Sequence, residues 1–151
     1  MLATTPRTRR VRFDNLQQLV DSLGGIPASR VLVDPPIGRA TVKDLLALQR
    51  KDGGWNLPSL ADWKRLDGQP NDKNASSDGY ATGLILYVLR QNGLPTKDDA
   101  IQRGVTWLKA NQRASGRWFT RSVNADRAHY ITNVGTAYAV MALHACGETD
   151  K

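Results

Sequence analysis

The chain has 151 residues, 40% of them hydrophobic and 23% charged, with a formal net charge of +7. These values describe one ordinary globular domain and exclude a disordered polymer. The single Cys146, in the apolar run VMALHACG, excludes an internal disulfide framework and a multi-cysteine zinc site, and it reads as a buried structural thiol.

The start, MLATTPRTRRVRF, is basic and polar and does not read as a secretory signal. No uncharged run approaches the roughly 20 residues that span a bilayer, so a cytoplasmic protein is expected. The N-terminal segment 1–39 reads as a divergent or poorly ordered segment with one short helix over 14–23, stopped by Gly24 and Gly25, and then an extended proline-rich connection. A second helix is expected over 40–50, with Val42, Leu45, Leu46 and Gln49 along one stripe. Residues 56–77 form a long polar segment without period, of the kind that carries function or stays partly disordered. A third helix, 79–92, has no charge until Arg90. Thr96 opens a fourth in a capping-box-like phrase, TKDDA, and this helix reaches Gln112. A fifth covers 132–146 and is apolar nearly all round. Helices two and four are amphipathic and belong on a surface; three and five are expected to be enclosed between layers. The fold class is all-α.

Two phrases recur. ATGLILYVLRQNG (81–93) aligns with GTAYAVMALHACG (135–147) at an offset of 54, pairing Thr82 with Thr136 and Gly93 with Gly147. QRKDGGW (49–55) aligns with QRASGRW (112–118) at an offset of 63, so the first loop carries nine extra residues. Each unit is an outer helix, a turn with Gln, Gly and Trp, a loop and an inner helix. Stacked helical hairpins follow. Gln49, Gly53 and Trp55, and again Gln112, Gly116 and Trp118, read as structural staples: an amide for helix-end groups, a glycine for a tight path, an indole to cover both.

RGVTWLKANQRASGRW (103–118) resembles the QW motif of squalene-hopene and oxidosqualene cyclases, with Arg103, Gly104, Trp107, Leu108, Gln112, Gly116 and Trp118 in the motif's places. VKDLLALQRKDGGW is a looser copy. The resemblance extends over roughly 40–147, within a repeat domain taken as 40–151, and points to squalene-cyclase C-terminal-like bacterial proteins. It implies an α/α toroid of inner and outer helices, here a partial ring of about five, and an apolar isoprenoid ligand. It does not imply a complete cyclase, because the D-x-D-D acid motif is absent, and KDDA (97–100) reads as a helix cap. No metal site is expected, since His144 and Cys146 stand two apart on a helix, and no cofactor is expected.

Candidate site positions lie where the loops meet the inner helices. Asp78 is a candidate general acid whose simpler reading is an N-cap, and His129 is a candidate proton donor. Arg117 and Arg121 flank Trp118 and Phe119 in a basic aromatic patch suited to an isoprenoid diphosphate. Tyr80, Tyr130 and Tyr138 are candidate ligand contacts, with Asp126 beside them; Tyr138 and Tyr87 read equally as core. Three functions follow: a squalene-cyclase-like repeat domain that binds an isoprenoid and is inactive alone, a non-catalytic repeat scaffold for protein partners, and a lyase-like α/α barrel acting on acidic sugars. Self-association or a partner that completes the toroid is expected, and nucleic acid is not. The basic surface permits peripheral membrane contact.

Overall fold

The computed structural model describes residues 42–60, 63–127 and 129–148. The segment 1–39 and the helix expected at 14–23 lie outside the described residues. Among the described residues the chain is all-α, with four helices and no strand. Residues 42–47 are helical (α1), a 3-10 turn covers Leu57–Ser59, and three longer helices follow: α2 (Gly79–Gln91), α3 (Asp99–Asn111) and α4 (Ile131–Ala145). No helix among them is long and apolar enough to cross a membrane.

Local chemistry sets the ends. The extended backbone of Asp78 lets its carboxylate accept the Ala81 N–H, so α2 starts there. Gly93, at φ +84°, stops it by a left-handed step, and the Leu94 N–H returns to the Leu89 carbonyl. The α3 start differs from the sequence expectation. Asp98 caps it through the Ala100 N–H, whereas Thr96 and Lys97 sit in a turn closed by the Asp98 N–H on the Pro95 carbonyl. The described part of α1 ends at 47, short of 50, because the Arg50 N–H already turns back to the Gly54 carbonyl at 2.9 Å.

The inner helices α2 and α4 lie side by side and run parallel: Tyr80 meets Gly135, Gly83 meets Ala139, and the Arg90 guanidinium donates to the Ala145 carbonyl. The approach is close enough that a Cβ on Gly83 would stand 2.6 Å from the Tyr138 carbonyl carbon. Outer helix α3 crosses over Leu86, where a Cβ on Gly104 would stand 2.7 Å from its Cδ2. The core gathers on α2, which is buried without a break from Gly79 to Leu86. Its fully buried large side chains include Trp55, Trp118, Leu86, Ile101 and Leu108.

The second inner helix departs from the expectation of full enclosure. Gly135, Tyr138, Ala139 and Ala142 of α4 are buried against α2, but Val134 and Val140 are 48% and 49% exposed, and Ala137 between them is exposed too. Apolar character all round indicates enclosure only where neighbours stand on both sides, and among the described residues α4 has one inner neighbour. Cys146 closes α4 as a buried free thiol, and burial pushes its pKa up, away from reactivity.

Candidate functional site

The two Gln-Gly-Trp turns repeat bond for bond. The Gln49 amide donates to the Gly53 carbonyl (2.9 Å), and Gln112 to Gly116 (3.1 Å). The Trp55 indole N–H donates to the Leu45 carbonyl, and that of Trp118 to Leu108, both at 2.7 Å. The backbone N–H of Trp55 donates to Thr82 Oγ1 and that of Trp118 to Thr136 Oγ1. Gly53 and Gly116 both hold a positive φ, +90° and +77°. Through these bonds each turn ties the end of one helix to the start of the next inner helix.

Beyond each turn, the chain meets the N-terminus of an inner helix. In the first unit the Leu57 N–H donates to Asp78 Oδ2 (2.6 Å), while Oδ1 accepts from Ala81 N–H and from the Thr120 hydroxyl. In the second unit the Thr120 N–H donates to Thr132 Oγ1 (3.1 Å). Leu57 and Thr120 are 63 apart and Asp78 and Thr132 are 54 apart, so Thr132 takes the place of Asp78. The nine extra residues consequently fall between 58 and 77. They do not form a free loop. Asn71 donates to the Trp63 and Val123 carbonyls, Asn56 clamps Lys73 and Ala75, and the Leu66 N–H donates to the Asn124 carbonyl. The extra length stitches the first loop onto the second.

Between the stitched loops lies a cleft of about 540 Å³ above the N-terminus of α2, walled by Arg65, Asp67, Asn71, Phe119, Arg121 and Asp126, with Asp78 at its floor. Arg65 pairs with Asp67 and Asp126, and Arg121 pairs with Asp126 (2.7 Å). The Arg121 hydrogen bond, with help from Arg65, holds the Asp126 carboxyl down at about 2. Burial acts on Asp78 in the opposite sense and raises it to about 6, against the pull of the Ala81, Leu57 and Thr120 hydrogen bonds.

The cleft brings together only some of the candidates. Asp78, Arg121 and Asp126 line it, but Tyr80, Arg117, His129, Tyr130 and Tyr138 do not. Tyr80 and Tyr138 are buried and pack edge to face, with ring centres 5.2 Å apart; burial raises both phenols, Tyr80 to about 12. His129 Nδ1 accepts the Ser122 N–H, and its ring packs edge to face with Phe119, whose own ring lies under the Arg113 guanidinium. Arg117 and Tyr130 are exposed. No three His, Cys, Asp or Glu side chains converge as a metal set among the described residues.

Sequence reasoning missed Thr120, Asn56, Asn71 and Arg65, which hold the loops together. It also missed Asp52, which accepts from Ser77 Oγ and the Trp107 indole and so joins the first turn to α3. Extending the offset of 63 two residues past each Trp pairs Leu57 with Thr120, the one sequence signal that could have pointed to Thr120. No family model matches the chain, and no curated protein matches it.

Proposed function

We propose that this chain is a non-catalytic helical-repeat scaffold, an arc of hairpins of the squalene-cyclase-like kind that works by holding a protein partner. One observation carries the reading. The bond that fixes Asp78 is made again in the second unit by Thr132, a side chain with no acid proton to deliver to an alkene. The position asks for a hydrogen-bond acceptor, and a carboxylate is one way to supply it. The other candidates are committed in the same manner: His129 accepts a backbone N–H, and Asp126 lies between two arginines. An isoprenoid seat calls for a continuous apolar cavity, yet the cleft is rimmed by ion pairs and the inner-helix tyrosines fill their space with each other.

The test is to incubate the full chain with squalene, isoprenoid diphosphates and acidic oligosaccharides from pH 5 to 8 and analyse by mass spectrometry. All should be recovered unchanged and unretained. Conversion that disappears in a folded Asp78→Asn variant would overturn the reading in favour of catalysis. Retained squalene would replace it with isoprenoid binding.

A further inference from the structure

The first unit departs from the second in two ways, and both meet at one place. Where Thr132 supplies the acceptor in the second unit, the first has the carboxylate of Asp78. The bond needs only an acceptor, so the negative charge exceeds what the fold requires. Keeping it there is unfavourable. Asp78 is 8% exposed, and the three groups that donate to it, the Leu57 and Ala81 N–H and the Thr120 hydroxyl, are all uncharged. The second departure is the extra length within 58–77, and that stretch supplies most of the wall of the cleft above Asp78. The cleft is thus built over the charged member of the pair.

The cleft's own cations are engaged elsewhere. Arg65 donates to Asp67 and Asp126, and Nε and a terminal nitrogen of Arg121 both go to Asp126. With Asp72, four carboxylates and two guanidinium groups line the cleft, a balance of −2 in a chain of net charge +7. Pro58, Phe119 and Val123 add apolar wall of the kind that covers the methylene stem of a long basic side chain. Asp78 Oδ1 accepts two hydrogen bonds and Oδ2 one, which leaves one acceptor position open, on Oδ2. An ammonium needs one such position, whereas a guanidinium fork needs one on each oxygen. The volume of about 540 Å³ lies within the about 300–1,000 Å³ of sites that take a whole small ligand, which is room for a lysine with its flanking backbone.

We infer that the cleft seats a lysine side chain of the protein partner, its ammonium paired with Asp78. The inference names the partner's contact on the scaffold reading and rests on it, but the two fail separately. The test is an NMR titration of the isotope-labelled full chain with the peptide acetyl-Ala-Gly-Lys-Gly-Ala-amide, following the amide signals of Asn71, Ser77 and Phe119. These should shift to saturation with a Kd on the order of 1 mM. The same peptide with Nε-acetyl-lysine should bind about tenfold more weakly or worse, and the arginine peptide should fall between the two. Asp78→Thr copies the second unit, and it should lose the lysine peptide to the same extent at an unchanged helical circular-dichroism signal; Asp78→Asn should do likewise. The acetylated peptide poses the question to the unaltered chain, so the result does not depend on either variant folding. The inference is overturned by an absence of saturable shifts with the lysine peptide, by equal binding of the acetylated peptide, by tighter binding of the arginine peptide, or by undiminished binding to a folded variant. Each of those results leaves the scaffold reading standing. Substrate conversion that is lost in Asp78→Asn overturns the scaffold reading, whatever the peptide does.

Discussion

The two Gln-Gly-Trp turns are made of the same bonds and sit in different surroundings. In the first, Gln49 also donates to the Ala100 carbonyl at 2.8 Å and accepts from the Arg103 guanidinium, so the turn is clamped to the start of α3. A Cβ on Gly53 would stand 2.7 Å from the Arg103 carbonyl oxygen. In the second, among the described residues, Gln112 bonds only within its own turn, and nothing stands within 4 Å of a Cβ on Gly116. The inner helices repeat the contrast: α2 is covered by α3 and α4, and the matching face of α4 is open. A repeat unit thus specifies its own turn from local chemistry, and its neighbour decides how much of that turn becomes core.

The largest effect expected is common to both turns. Trp55→Ala and Trp118→Ala each remove a side chain 0% and 2% exposed together with its bond to a helix carbonyl, and each should cost about 3–5 kcal/mol in urea denaturation. A loss confined to Trp55 would break the equivalence of the units.

Asp78 comes next. Asp78→Ala leaves the Leu57 and Ala81 N–H groups without their acceptor and should cost about 2–4 kcal/mol, whereas Asp78→Asn retains an acceptor and should cost less. The pH response has a definite sign. The folded carboxyl titrates near 6 and the unfolded one near 3.8, so between these values the folded state binds its proton more tightly. The stabilisation is complete below 3.8 and is lost as pH rises through about 6, a change of about 3 kcal/mol. Wild type should therefore lose stability relative to Asp78→Asn between pH 4 and 7. A gain over that interval would contradict the burial of the carboxyl. Asp126 acts in a separate window and with opposite sign: its pairing with Arg121 is present above 3.8 and fades as pH falls towards 2.

A smaller contrast separates the equivalent helix positions. Gly83→Ala improves helix propensity by about 1 kcal/mol yet drives a Cβ into the α4 backbone, so a net loss of about 1–2 kcal/mol is expected. Ala137→Leu, at the matching exposed position, should change stability by less than about 0.5 kcal/mol. Stabilisation by Gly83→Ala would rule out the close pairing of α2 and α4.

Much of this was legible in the chain. The offset of 54 paired Thr82 with Thr136, which the structure shows accepting the backbone N–H of Trp55 and Trp118, and the limits of the inner helices fell within a residue of those read from periodicity. These features are local: caps, glycines and a 3.6-residue period. The cleft was legible only in part. Asp78 and Arg121 stood out by residue type, but Thr120, Asn71 and Arg65 act across 42, 52 and 61 residues, separations that no local pattern encodes. The openness of α4 was hidden for the same reason, since an apolar run reads alike whether one side or both are covered. Arg117, flagged beside Trp118, proved exposed and outside the cleft.

The paired glutamines test most directly whether one device works in two surroundings. Urea denaturation of Gln49→Ala and Gln112→Ala should give a loss of about 1–2 kcal/mol for the first, which gives up bonds to Gly53, Ala100 and Arg103, and less than about 0.5 kcal/mol for the second. Equal losses, or a greater loss at Gln112, would contradict the account.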